Sequence, residues 1–316
     1  MKLTLKNIAI AATIFSISAI SGCKKDSTPT PTNTNTNSQS NPDTYSSLSD
    51  FYAKNGVPLQ TFTINGATGG SFTTPQGTKV RIPANAFWDN SNQVVTGPVT
   101  IQFKDIYKKS DMLLSNVPTM LRTGQLLKSG GEFFIKALSA SVAVNLAPAK
   151  SIVVQQPNSL PKDSSMMAYI ADTTGWTQNS NYVVDTAGSY LYQITTLCMP
   201  LNGGSLCNTD DYNYFSHYSP TSLTLQTTDT VSLYNFQAYL MFTGINTTCV
   251  YHTYPLYNGA PLGLQCTLVV VGVRLSNSKL YSAFVPITIT ANLNVSYHLT
   301  QTTTANFKTQ LSALNN

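Results

Sequence analysis

Three histidines (His217, His252 and His298), a single glutamate (Glu132) and five cysteines carry most of the reactive chemistry of this 316-residue chain. A hydrolase can work with so few groups. However, Gly-x-Ser-x-Gly, His-Glu-x-x-His, phosphate-loop and dinucleotide-loop patterns are all missing from the sequence. The expectation is a protein that is not an enzyme and uses no cofactor. Asp210-Asp211 beside Asn208 offers oxygen ligands, but without the alternating spacing of a calcium loop, and reads as a solvated loop. Cys198, Cys207, Cys249 and Cys266 form an even set that in an exported chain implies disulfides, with three possible connectivities. Local pairing is the simplest: Cys198–Cys207 around a Gly-Gly loop and Cys249–Cys266 around a loop rich in Pro and Gly, each worth about 2–4 kcal/mol. The rival is a zinc site with His217 or His252, but the spacings match no compact zinc motif, so no metal is expected. Tyr212, Tyr214, Phe215 and Tyr218 form one aromatic group, and Tyr251, Tyr254 and Tyr257 another. Exposed loop tyrosines stack with a rigid face while the hydroxyl bonds, which makes Tyr254 and Tyr257 candidate ligand contacts. The competing expectation is that both groups are partly buried at sandwich edges.

The fifth cysteine sets the compartment. Lys2 and Lys6 precede an apolar run from Ile8 to Ile20, followed by Ser21-Gly22-Cys23. A basic start, a short apolar core and small residues before a cleavage point read as a secretory signal over residues 1–22, too short to span a bilayer comfortably. Ser-Gly-Cys resembles the lipobox of bacterial lipoproteins, which implies that Cys23 is acylated and becomes the mature N-terminus. Several acyl chains hold a protein stably where one does so only marginally. The start Cys23-Lys24-Lys25-Asp26 is similar to Bacteroidetes surface lipoproteins. That resemblance implies a lipid-anchored protein of the cell outer membrane, exposed at the surface.

Charged residues are only 10% of the chain, while Ser, Thr, Asn and Tyr abound, as in many extracellular β-proteins. Loss of residues 1–22 removes two lysines and no acids, so the net charge falls to 16 − 13 = +3. Residues 24–162 carry 13 basic and 7 acidic groups, and residues 163–316 carry 3 and 6, so the halves are +6 and −3. No Lys/Arg cluster is dense enough for nucleic acid, which is not an expected partner.

Residues 23–48 are rich in Ser, Thr, Pro, Asn and Gln and cannot bury enough surface to order themselves. They read as a disordered tether spanning roughly 25–30 Å. Beyond it, Thr61 to Ile64, Thr78 to Ile82, Val99 to Phe103, Glu132 to Leu138, Val142 to Leu146 and Ile152 to Gln156 read as short strands. Turns and prolines separate them, as in a β-sandwich. Gly69-Gly70, the run Gly77 to Phe87 and Gly97-Pro98-Val99-Thr100-Ile101 resemble a ZU5-type β-sandwich, and the likeness covers about residues 50–156. It implies a fold and a role in protein contacts, not an activity. The charge reversal and the polar stretch around Pro157 and Pro161 place a boundary there. The expected divisions are a ZU5-like sandwich over 49–157, a β-rich middle over 158–230 and an immunoglobulin-like β domain over 231–316. The last ends in a short helix bearing Phe307, Leu311 and Leu314. The fold class is all-β. Trp176 is expected on a turn, and Val231 to Phe242 as one long strand.

Two weaker motifs remain. His217-Tyr218-Ser219 is similar to the His-Phe-Ser site where some ZU5 proteins cleave themselves, which makes His217 and Ser219 candidates for self-cleavage. Two departures stand against it: the triplet lies beyond the module, and Pro220 follows at once. Asp172-Thr173-Thr174, Asp185-Thr186-Ala187 and Asp229-Thr230-Val231 resemble O-glycosylation acceptors of the same bacteria. The function expected is a non-enzymatic binding or display module with a protein or glycan ligand. The alternatives are a carbohydrate-binding accessory of a nutrient-uptake system and a self-cleaving or hydrolytic protein.

Overall fold

The computed structural model describes residues 43–316 apart from 158–159, 161–162, 173–174, 180–181, 186–189, 196–203 and 252–258. The chain is all-β, with three short α-helices among the described residues. Among the described residues no helix is long and apolar enough to cross a membrane. Strands of three or more residues are numbered below in chain order.

The first sandwich draws on β1 (Gln60–Asn65), β2 (Gly70–Thr73), β3 (Lys79–Ile82), β4 (Pro98–Ile106), β5 (Lys128–Ser139) and β6 (Ile152–Gln155). It also takes β7 (Met167–Asp172), β8 (Gly175–Gln178), β9 (Tyr182–Asp185), β10 (Leu191–Ile194) and β11 (Gly204–Asp211). One sheet runs β1-β4-β5-β11-β7-β8, and the facing sheet runs β9-β10-β6-β3-β2. Alternation decides which residues meet inside: along β4 Val99, Ile101, Phe103 and Asp105 are buried while Thr100, Gln102 and Lys104 between them are half-buried, and Phe103 faces Ile135 across the ladder. Phe62, Phe72, Phe103, Phe133 and Tyr192 form a continuous ring cluster there, with Phe62 stacked on Phe72 at 3.9 Å.

The boundary expected near Pro157 does not separate the sheets. β11 is hydrogen-bonded between β5 and β7, and β10 pairs β6, so strands from beyond residue 157 complete both layers. The physical reason is local. Strands β4 and β5 leave a long apolar edge, and pairing it with β11 satisfies a row of backbone groups that would otherwise be unpaired. The charge reversal had marked a connector, not a division of the core.

The second β unit comprises β12 (Leu223–Thr227), β13 (Tyr234–Phe242), β14 (Thr248–Val250), β15 (Gln265–Arg274), β16 (Leu280–Thr288) and β17 (Leu293–Tyr297). Its main sheet runs β14-β13-β15-β16 and ends on the two-residue strand Thr300–Gln301, while β12 and β17 pair in parallel. The long strand expected from Val231 begins only at Tyr234, after a turn of 3-10 helix over Val231–Leu233.

Two helices that the strand patterns did not anticipate lock the units together. The helix α1 (Leu48–Asn55) starts on Ser47, whose side chain accepts the Asp50 N–H. It turns Leu48, Phe51 and Tyr52 inward, onto the second core rather than the first: Phe51 packs on Phe307 at 5.7 Å, and the Tyr52 and Tyr239 hydroxyls bond at 2.6 Å. The helix α2 (Lys109–Leu114) sits at the seam, where Lys109 Nζ donates to the Phe242 carbonyl at 2.7 Å. The tail forms α3 (Thr304–Ser312) with Phe307 and Leu311 buried, as its periodicity implies. Trp176 lies in β8, not on a turn; it is buried and its ring N–H donates to the Pro118 carbonyl at 2.8 Å.

The seam is polar and tightly bonded. Asn246 Nδ2 donates to the Tyr107 and Ser129 carbonyls, each at 3.1 Å, and Thr247 Oγ1 donates to the Leu127 carbonyl at 2.8 Å. Opposite them β5 bulges: Asn208 faces Glu132, but Asp210 faces Ser129. Gly131 makes the bulge possible. Its φ is +121°, and a Cβ there would fall 2.7 Å from the Tyr107 ring.

Candidate functional site

A cleft of about 820 Å³ lies in the second unit, between the outer strand β16 and the parallel pair β12/β17, closed at one end by α3. Its walls follow from the parallel register. Leu225 pairs with Val295 and turns toward the core, so the alternate residues Gln226 and Ser296 face out into the cleft. Thr302 follows the short strand Thr300–Gln301, and Asn306 projects from α3. Eleven of the fifteen lining residues carry a hydroxyl or a carboxamide as their only polar group, and none is Asp, Glu, Lys or Arg.

One titratable pair stands at the rim. Asp229 Oδ1 lies 2.9 Å from His298 Nδ1, while Asp229 Oδ2 accepts from the Leu299 N–H at 2.7 Å and from Thr227 Oγ1 at 3.0 Å. The carboxylate, mostly buried, is therefore fixed by backbone and hydroxyl donors. It holds the exposed imidazole with a proton on Nδ1 and its Nε2 edge available. Chain order hid this pair: His298 and Asp229 meet only because β12 and β17 run side by side.

The expected site residues fare differently. Cys23, Cys198, His252, Tyr254 and Tyr257 lie outside the described residues. Cys207 is buried in β11, level with Phe133 and Ile170. The expected Cys249–Cys266 bridge is not formed, and both thiols are buried and unbridged. Cys249 pairs with Leu240 and Cys266 with Phe242 on opposite sides of β13. That leaves them about two strand spacings, ~9.5 Å, apart before their two-residue offset, beyond the reach of a disulfide. His217 ends a 3-10 turn and Ser219 follows it, both side chains exposed, with the Ser219 carbonyl accepting from Leu262 N–H at 2.9 Å. Tyr214, Phe215 and Tyr218 pack ring on ring, with Phe215 against Phe242 at 5.3 Å. Among the described residues no group of three His, Cys, Asp or Glu is placed to hold a metal ion.

Asp210 and Asp211 do not form a solvated loop. They close β11 at the seam and are buried. Burial, and then the neighbouring Asp210 charge, pushes the Glu132 carboxyl well above its ordinary range. Burial pushes Asp210 up as well. Ser129 cannot offset this: it donates its one proton to Asn208 Oδ1 at 2.8 Å, and both Asp210 oxygens are left without a donor. Glu132 has only the Asn208 amide, at 3.3 Å on one oxygen. The pair is thus held protonated in a closed seam, which suits architecture and not contact with a ligand. The sequence signal for it was slight, the chain's single glutamate just before the apolar run Phe133-Phe134-Ile135 of β5.

No family model matches the chain, and no characterised protein and no solved structure is similar to it.

Proposed function

We propose that this chain is a lipid-anchored envelope protein, held in the outer membrane through Cys23, that acts as a non-enzymatic binding or display module. The cleft is its ligand site. One observation carries the proposal: a cleft of about 820 Å³ is lined by neutral hydroxyl and carboxamide groups on well-braced strands and a helix. Such a lining orients a ligand without polarising it. The ZU5-like character of the first sandwich belongs to the same proposal and would make that part a scaffold. Its core is filled with stacked aromatic rings.

A photo-crosslinking side chain at Thr228, in the cleft, compared with one at the exposed Thr224 outside it, tests the site. A cell-envelope adduct specific to position 228 is expected. Equal or no labelling at the two positions overturns the binding role. Carbonate washing of membranes tests the anchor separately: Cys23→Ser should release the protein, and a variant that stays bound overturns lipidation.

A further inference from the structure

We infer that the cleft between β16 and the β12/β17 pair takes a neutral carbohydrate chain. The inference rests on the binding role proposed above and adds the chemical class of the ligand.

Charge narrows the field first. With no Asp, Glu, Lys or Arg among the lining residues, and the one imidazole, His298, already matched to Asp229, a charged ligand would lose hydration and gain no unpaired counter-charge. That disfavours nucleotides, phosphorylated lipids and acidic glycans alike. The density of neutral polar groups narrows it next. A hydroxyl both donates and accepts, and a carboxamide carries both functions on one plane. Gln226, Gln301 and Asn306, interleaved with Thr and Ser hydroxyls, match the alternating donor and acceptor face of a sugar ring. An acyl chain would leave this set unsatisfied, because only Ala283, Phe284 and Val285 in the lining are fully apolar.

An extended peptide is the other neutral occupant, and it would add to the free edge of β16. That edge is open beyond Ser282, since the strand Thr300–Gln301 pairs only Tyr281 and Ser282. Pro286 lies on this stretch and lacks an N–H, so the edge cannot offer an unbroken ladder. A peptide would also use little of the carboxamide-rich wall opposite.

Two features give a sugar its orientation. Phe284 is half-buried and braced by Phe307 at 5.5 Å, which fixes the apolar part of the lining against which a pyranose face can rest. His298, held through Nδ1 by Asp229, offers Nε2 to a ring hydroxyl. The volume, about 820 Å³, lies within the about 300–1,000 Å³ typical of small-ligand sites and leaves room for a short oligosaccharide.

The test uses the full chain in detergent and an array of neutral gluco-, manno-, galacto- and N-acetylglucosamine oligosaccharides with uronate and sulfated chains beside them. Binding to at least one neutral series is expected. It should weaken at least about tenfold in a Gln301→Ala/Asn306→Ala variant whose melting temperature is unchanged, since two exposed hydrogen-bonding groups are lost. Binding confined to acidic chains, or neutral binding indifferent to the double variant, overturns the inference. A blank array together with a protein adduct at position 228 overturns the carbohydrate class and leaves the binding role standing. A blank array with no adduct overturns both.

Discussion

The seam and the cleft are built from the same kinds of side chain and put them to opposite uses. At the seam, Glu132, Asn208 and Asp210 are sealed from water, and Lys109 is nearly so. Each either finds a backbone partner, as Lys109 does on Phe242, or is forced toward its neutral form, as Glu132 and Asp210 are. At the cleft, Gln226, Gln301 and Asn306 stand exposed and uncharged; Gln301 Oε1 accepts from the Tyr281 hydroxyl at 3.2 Å and Asn306 Nδ2 donates to Thr302 Oγ1 at 3.1 Å, while the rest of each carboxamide faces solvent until something replaces it. Burial makes a polar group structural because leaving it unpaired costs about 1–3 kcal/mol. Exposure leaves it free to recognise. The difference lies in where the strands put the residues, not in what the residues are.

The harshest way to break the comparison is to cut the chain at the expected boundary. A fragment of residues 48–157 lacks β7, β9, β10 and β11, which complete both layers of the first sandwich. It should show no cooperative transition by circular dichroism and should aggregate on size exclusion. A single sharp melt would mean that the shared sheets are not needed for folding.

The buried acids give the next largest effect. Their pKa values are raised in the folded chain, so the native state holds protons that the unfolded chain has released. Their contribution is complete below the ordinary carboxylate range and is lost as pH rises toward the folded values. The loss is about 1.4 kcal/mol per pH unit for each proton retained. Stability measured by denaturant should therefore fall between pH 5 and 7.5, and Glu132→Gln should flatten that slope. A slope as steep in the variant as in the parent chain would remove Glu132 from the account. Lys109 acts in the other sense. Burial lowers it to about 8, so it favours the fold only as pH climbs past that value, and the window is kept below it.

The thiols should respond less. Burial pushes Cys266 up to about 12 and Cys249 higher still, so neither forms thiolate near neutral pH. Alkylation of the native protein at pH 7.5 should miss both, while denaturation exposes both. A Cys249–Cys266 crosslink in a non-reducing peptide map would contradict the strand placement.

The smallest effect belongs to the cleft. His298→Ala should shift stability by under about 0.5 kcal/mol, because the ring is exposed and its contact with Asp229 is partly solvated. It should still weaken neutral-oligosaccharide binding several-fold. A large loss of stability would make the Asp229–His298 pair part of the architecture and erase the contrast with the seam.

Much of the fold was legible because short-range patterns carry it. The alternation in Val99, Ile101 and Phe103 sets the inner face of β4, Pro83 follows the last residue of β3, and Phe307 and Leu311 mark the face of α3. Ser47 and Asp50 are a legible cap for α1, although the polar sequence before them masks it, and within that sequence Tyr45 is buried against Phe51 at 5.1 Å. The cleft was not legible. Its residues are ordinary Thr, Ser, Gln and Asn drawn from several separate elements, and nothing in their local spacing distinguishes them from surface.

By itself, then, the sequence determined the all-β class, the strand faces, the terminal helix, the scarcity of charge and the shortage of catalytic groups, since each depends on neighbours in the chain. The tertiary structure alone decided that β11 enters the middle of the first sheet, that β13 keeps Cys249 from Cys266, that Asp210 is buried and that Asp229 meets His298. Each of these depends on which distant strand wins a place beside another. That choice is made by the summed burial of whole sheet faces, a quantity no local pattern contains.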